Sequence, residues 1–377
     1  MQRPQKTLIL RDLEKKLVLL SGPRQSGKTT LAKSFFSEPL FEYLNFDRKA
    51  DRTIILKETW TRQKELIVFD ELHKMRFWKR WIKGVYDTEG VRPRLLVTGS
   101  ARLDIYRKGG DSLAGRFFLH RLHPLSIAEI KKSDSTQVVD EIEKKLLTLG
   151  GFPEPFLNGN QDDASRWRRS HLDVILREDL IDLEKVRDLK SIEILVDLLA
   201  ERVGSTISYS SLAKDIQVSP HTIKKWIEVL ERLYVVFVVT PNAKNISRAV
   251  LKEPKIYFFD TGRVTDAPDA RFENLVACAL LKRNHYLEDM RGEKRALHYV
   301  RDHQKREVDF LTLVNNKPEY LIETKLSDES LSPSLRYFDA FIKPERAIQL
   351  VRNLSRTQLY GKIQILKSAQ WLSELEL

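Results

Sequence analysis

Gly22-Pro23-Arg24-Gln25-Ser26-Gly27-Lys28-Thr29 is a full G-x-x-x-x-G-K-[ST] pattern, and the four apolar residues before it, Leu17, Val18, Leu19 and Leu20, predict a buried strand. Thr30, Leu31, Ala32 and Lys33 then open a helix. A strand that turns through glycines into a helix start aims a row of backbone N–H groups at one spot, where aligned peptide dipoles favour an anion. Residues 22–30 are therefore expected to cradle the phosphates of a nucleotide. Gly22 and Gly27 allow the tight turn, Lys28 can reach the β and γ phosphates, and the Thr29 hydroxyl can hold Mg²⁺.

Binding a nucleotide is not hydrolysing it, which also needs a metal-organising acid and a group that acts on water. Residues 66–69 are apolar and run into Asp70-Glu71, two carboxylates at the sheet edge where the loop should lie. Asp70 is expected to hold Mg²⁺ through water and Glu71 to act as general base. A further strand at residues 94–98 ends in Gly99-Ser100, so Ser100, with Thr98 as the alternative, is expected beside the γ phosphate. Arg116 follows Gly115 at the head of a strand at residues 117–122, where it either neutralises phosphate charge, often from a neighbouring subunit, or makes a surface salt bridge. Short apolar runs at 17–20, 41–46, 66–69, 95–98 and 117–122 alternate with helical patterns, which predicts an α/β fold with a parallel sheet and helices on both faces.

This order of parts resembles the AAA+ ATPases: the loop, the strand at 41–46, the acid pair Asp70 and Glu71, the polar strand end at Ser100, and Gly115-Arg116. More narrowly, nearly the whole chain looks like the prokaryotic AAA+ ATPases that carry a C-terminal domain of unknown function built from a winged helix and a restriction-endonuclease-like fold. The resemblance implies ATP with Mg²⁺ as ligands and hydrolysis to ADP and phosphate. It implies four parts: an ATPase domain at 1–128, a helical lid or connector at 129–200, a winged helix at 201–250, and a nuclease-like α/β domain at 251–377.

The residues of the C-terminal part support this division. A helix over 208–216, a turn at Gln217-Val218, and Ser219-Pro220 as cap and first helical position predict a helix-turn-helix. Ile223, Ile227 and Leu230 share the inner face of its second helix. His221, Thr222, Lys224 and Lys225 are then left outward near the N-terminus, where they would contact DNA, or else form a solvated face of a protein-packing module. Residues 234–240 supply a wing strand. Further on, Asp309 opens a strand and Glu323 and Lys325 lie two apart on another, facing the same way and close enough in sequence to pair with it as a hairpin.

Asp309 and Glu323 suit a second Mg²⁺ or Mn²⁺, Lys325 could steady a scissile phosphate, and Glu273 on the preceding helix is an extra candidate ligand. This Asp, then Glu-x-Lys pattern looks like the restriction-endonuclease-like superfamily. The alternative is a Glu323–Lys325 salt bridge in a degenerate domain that binds a protein partner and cuts nothing.

The bulk numbers agree with such a chain. At 377 residues it exceeds the usual single core, and 65 Lys and Arg against 53 Asp and Glu give +12, which favours a polyanionic partner such as nucleic acid. The single cysteine, Cys278, excludes an internal disulfide and a cysteine-based zinc cluster. Residues 1–11 show no signal-peptide run, and the most apolar later stretch, 234–239, is far short of the ~20 residues that span a bilayer. A cytoplasmic protein is expected, with a homo-oligomer if Arg116 works in trans.

Overall fold

β1 (Leu17–Ser21), the strand expected before the glycine-rich loop, is buried at every position. So are β3 (Leu66–Asp70) and β4 (Arg94–Thr98). With β2 (Phe41–Asn45) and β5 (Phe117–Arg121) they form a five-stranded, wholly parallel sheet in the order β2-β3-β4-β1-β5. Side chains alternate across a strand, so one set, Leu17, Leu19, Ile67, Phe69, Leu95 and Val97, packs on one side with Trp60, Trp78 and Ile82. The other set, Val18, Leu20, Leu66, Val68 and Leu96, packs on the opposite side with Ile9, Leu13 and Leu31. A sheet covered on both faces needs unbroken apolar strands, which is what these segments are.

The computed structural model describes residues 3–99, 113–180, 188–242, 253–265 and 267–377. These fall into two compact units, residues 1–123 and 124–377. The sheet just described belongs to the first. Its order places β4 between the loop strand β1 and the acid strand β3, whereas the strand at 41–45 intervenes in sequence and lies at the sheet edge beside β3.

The second unit opens with helices. A polar turn divides Ile127–Ser133 from Val139–Leu149, and in it the Asp134 carboxylate accepts the Thr136 N–H at 3.1 Å. Helices Pro153–Asn158, Gln161–Val174 and Leu189–Ala200 follow. The helix-turn-helix forms as expected, from Tyr209–Ile216 and Pro220–Arg232, with Gln217 in the left-handed turn at φ 61°. Ser219 Oγ accepts the Thr222 N–H at 3.1 Å and so caps the second helix.

The wing is where sequence and structure part. β6 (Val236–Pro241) pairs antiparallel with β7 (Lys255–Phe258), so the hairpin straddles residue 250, expected as a domain edge. Its far end continues into a larger sheet, because Thr240 and Pro241 pair in parallel with β8 (Arg295–Arg301). β9 (Glu307–Val314), β10 (Lys317–Lys325), β11 (Arg346–Val351), β12 (Gln358–Tyr360) and β13 (Ile363–Lys367) complete an eight-stranded mixed sheet in the order β12-β13-β11-β10-β9-β8-β6-β7. The hairpin after the helix-turn-helix is therefore one edge of this sheet rather than a separate bead. No described helix is long and apolar enough to cross a membrane.

A buried ion pair ties the first helix of this unit to the long helix Pro268–Arg291. Lys282 Nζ donates to Glu129 and, at 2.9 Å, to the Pro124 carbonyl, and both side chains are almost wholly out of solvent. Removing one partner of such a pair strips the counter-charge from a desolvated group. Lys282→Ala is expected to cost about 3–5 kcal/mol, while Lys282→Met with Glu129→Leu recovers most of it. Urea unfolding followed by far-ultraviolet circular dichroism measures both.

Candidate functional site

Main-chain shape sets the N-terminal site. Gly22 has φ 149°, and a Cβ there would lie 2.3 Å from the Leu122 carbonyl oxygen, so the strand-to-loop turn passes too close to β5's exit for any side chain. Gly27, at φ 96° and ψ 18°, is the left-handed residue that starts the helix Lys28–Lys33. Lys28 is 8% exposed, and its ammonium donates to the carbonyls of Gly22 at 2.9 Å and Pro23 at 2.7 Å. The lysine thus lies across its own loop. Ser26 is fully buried and its hydroxyl has no hydrogen-bond partner among the described residues.

Thr29 points the other way, toward β3. Its hydroxyl donates to Asp70 Oδ2 at 3.2 Å. The Tyr43 hydroxyl donates to the same oxygen, while Thr98 Oγ1 and, at 3.1 Å, the Glu71 N–H donate to Oδ1. A carboxylate offers about four acceptor sites, and four donors approach them here, of which the Thr29 hydroxyl, at 3.2 Å, is the one that a bound Mg²⁺ would displace. Asp70 is thereby fixed by β2, β4 and the loop helix at once. Tyr43 is held above the ordinary phenol range, by burial first and then by its bond to the Asp70 carboxylate. Sequence reading missed Tyr43, and a lone tyrosine in a short strand carries no signal of this role.

Glu71 lies in the left-handed region, φ 56° and ψ 23°. For a residue with a Cβ this costs on the order of 1 kcal/mol, and such strain gathers at functional positions. Its N–H also donates to the Thr98 carbonyl at 3.0 Å, which turns the chain out of the sheet just past Asp70. Glu71 Oε2 lies 3.6 Å from both His73 Nε2 and Lys74 Nζ. Lys74 is held above its ordinary range: burial opposes its charge, but the hydrogen bond to Asp47 and the nearby Glu71 carboxylate outweigh it.

Lys28, Thr29, Asp70, Glu71 and Thr98 thus share one edge, at the C-terminal ends of β1, β3 and β4. Thr29 and Asp70 supply two hard oxygen donors side by side, which fits Mg²⁺. Ser100 lies outside the described residues, whereas its alternative, Thr98, touches Asp70. Arg116 makes a two-pronged bond to Asp87 of the helix Trp78–Glu89, at 2.6 and 3.1 Å, which is the surface salt-bridge reading.

In the second unit, His221, Lys224 and Lys225 are exposed near the start of the helix Pro220–Arg232. Thr222 is half-committed, since its hydroxyl shares a 2.8 Å bond with the capping Ser219. Trp226 joins Ile223, Ile227 and Leu230 on the buried face.

The acidic residues further on do converge. β9 and β10 pair antiparallel, with Phe310 opposite Ile322, so Asp309 and Glu323 are the next residues along. Asp309 Oδ2 accepts the Thr324 N–H at 2.9 Å and its hydroxyl at 2.7 Å. Glu323 pairs with Lys325 at 2.8 Å and is pushed up to about 7, by burial first and then by Asp309. Glu273 is pushed up to about 8 for the same two reasons in the same order.

Three participants were not foreseen. Lys255 Nζ reaches Glu307 at 2.8 Å, Glu273 at 3.0 Å and Asp309 at 3.4 Å. The Tyr257 hydroxyl donates to Glu273 at 2.6 Å. Lys255 and Tyr257 are two apart on β7, a spacing that could have marked them as one face. Among the described residues, no group of three or more His, Cys, Asp or Glu has the arrangement to hold a metal ion.

Comparison with known proteins matches three stretches of the chain. Residues 14–131 match the family described as AAA domain. Residues 140–269 and 269–371 match two domains of unknown function, DUF8612 and DUF4143. An uncharacterized protein of Mycobacterium tuberculosis is 27% identical over 343 residues, covering 85% of this chain and 73% of its own. One from Methanocaldococcus jannaschii is 24% identical over 380 residues, covering 89% and 82%. Among solved structures, a single-substitution variant of RuvB from Thermotoga maritima is 16% identical with TM-score 0.32 over 62% of this chain and 87% of that one. A signal-transduction ATPase with numerous domains from Pyrococcus horikoshii is 11% identical with TM-score 0.25 over 77% and 48%. Both structural likenesses are too weak to bear on function. The N-terminal part is thus similar in sequence to AAA domains, and it is followed by two segments similar to domains without an assigned role.

Proposed function

We propose that the chain is an AAA+ type ATPase that hydrolyses ATP to ADP and phosphate and uses this cycle to control a C-terminal module that contacts nucleic acid. The observation that carries it is the 3.2 Å contact between the Thr29 hydroxyl and Asp70, which joins the phosphate-type loop to the acid strand across the intervening β4. The loop N–H groups of residues 22–30 bind the β and γ phosphates. Lys28 trades two neutral carbonyls for charged phosphate oxygens, a stronger hydrogen bond for an ammonium.

Thr29 and Asp70 would hold Mg²⁺, which neutralises phosphate charge when bound. Glu71, turned outward by its left-handed backbone, orients and deprotonates the attacking water. Thr98, and Ser100 as expected from sequence, stand by the γ phosphate. Arg116 leaves Asp87 to reach a neighbouring subunit's nucleotide, an exchange made easier because both side chains are partly exposed and screened by water. This makes a homo-oligomer part of the proposal, as is a cytoplasmic setting.

His221, Thr222, Lys224 and Lys225 carry the nucleic-acid contact. Lysines there position a backbone without reading its sequence. A second reading, in which the module binds a protein partner and cleaves nothing, is favoured by the Lys325–Glu323 pair and by the lysine among the acids.

Lys28→Ala is expected to weaken ATP binding about a hundredfold or more, measured by isothermal titration; an unchanged Kd refutes the loop assignment. Glu71→Gln keeps binding nearly intact but lowers turnover by about 10²–10⁴-fold, read by phosphate release. Changing Lys224 and Lys225 together to Glu weakens DNA retention and lowers the slope of log K against log salt by about 2. Retention that ignores both the substitutions and salt places the contact elsewhere.

A further inference from the structure

Lys255 is 1% exposed, yet it carries a full ammonium among carboxylates from two elements. Glu307 and Asp309 come from β9 and Glu273 from the helix Pro268–Arg291, and all three oxygens lie 2.8–3.4 Å from its Nζ. Convergence of oxygens from separate elements is how a hard divalent ion is gripped, though at about 2.0–2.6 Å. Here the spacing is that of charge-assisted N–H···O bonds.

The remaining acceptors are largely engaged as well. Asp309 Oδ2 is taken by Thr324, Glu273 also accepts from Tyr257, and Lys325 sits on Glu323 Oε1. The Gly204 backbone lies close behind Glu273, since a side chain there would come within 2.6 Å of its Oε2. Glu323 Oε2 alone of these is buried with no hydrogen-bond partner among the described residues.

We propose that Lys255 is the resident cation of this pocket: its tethered ammonium stands where a divalent ion would stand, so Asp309 and Glu323 hold no metal in the native chain. Two physical reasons support it. A divalent ion entering beside Asp309 would face the ammonium within a few ångströms in a low-dielectric setting, where like charges repel strongly. Expelling Lys255 instead would leave its buried stem and three acids to rearrange, whereas the tether keeps the ammonium at high effective concentration. The pocket therefore disagrees with the metal-dependent nuclease chemistry its sequence pattern suggests, and the module binds rather than cuts. This inference is independent of the ATPase reading.

The test is Mn²⁺ binding followed by electron paramagnetic resonance, with thermal unfolding alongside, in the full chain carrying Asp70→Asn to silence the N-terminal site. With Lys255 present, no C-terminal Mn²⁺ is expected below about 1 mM, and Mn²⁺ leaves the melting temperature of the second unit unchanged. Lys255→Ala is expected to gain one Mn²⁺ per chain with at least about tenfold tighter binding, and Asp309→Asn abolishes that gain.

Submillimolar Mn²⁺ uptake in the chain with Lys255, lost on Asp309→Asn or Glu323→Gln, overturns the proposal. So does a folded Lys255→Ala chain that gains no Mn²⁺. Should Lys255→Ala fail to fold, the measurement with Lys255 in place decides alone. DNA incubated with Mn²⁺ and wild-type chain should remain uncut, and cleavage lost on Asp309→Asn would overturn the assignment equally.

Discussion

The Asp70 carboxylate is the point on which the N-terminal unit turns. It ends a fully buried strand and accepts hydrogen bonds from Thr29, Tyr43, Thr98 and the next N–H, so four segments of chain are registered on one pair of oxygens. A buried carboxylate without such partners would carry a heavy desolvation cost. With them it becomes a reference post. The loop helix cannot shift relative to β3 without breaking the Thr29 contact, and β4 cannot slide without losing Thr98. Because parallel strands all end on the same side, this post stands at the edge where Lys28 and the loop amides already face.

That arrangement explains why the first unit was so legible. Its chemistry is nearly contiguous: eight residues form the loop and two adjacent acids follow one strand. Its strands are apolar on both faces, which is a signature of a covered parallel sheet, and the two packed sets split cleanly by odd and even positions. What the letters could not give was lateral order. Nothing in residues 41–46 says that they lie at an edge while residues 94–98 lie in the middle. Tyr43 stayed invisible for the same reason, since its role depends on which strand is its neighbour.

The second unit shows the opposite balance. The helix cap at Ser219 and the hairpin of β9 with β10 follow from local rules and were read correctly, whereas Ser208, read as the first helical residue, is the cap of its helix. The pocket was read by half. Asp309, Glu323 and Lys325 fit a familiar pattern of spacing, and Glu307, two residues before Asp309 on β9, shares its face, but Lys255 enters from a part of the chain that no spacing links. β7 was assigned to the strands that follow it, yet its antiparallel partner is β6, so the lysine arrives beside the helix-turn-helix, whereas the acids come from β9 and the helix Pro268–Arg291. A boundary drawn through residue 250 hides that meeting.

Charge is handled differently in the two places, and the difference bears on what each can do. Around the glycine-rich loop Lys28 lies on neutral carbonyls, bonds a phosphate can replace at little loss. Around Lys255 the positive charge is buried and matched by carboxylates, bonds that cannot be surrendered one at a time without leaving an ion uncompensated. The first site can exchange its partner. The second is built to keep the partner it has, and an acid pocket whose cation is covalently part of the chain serves as a rigid joint between β7 and β9.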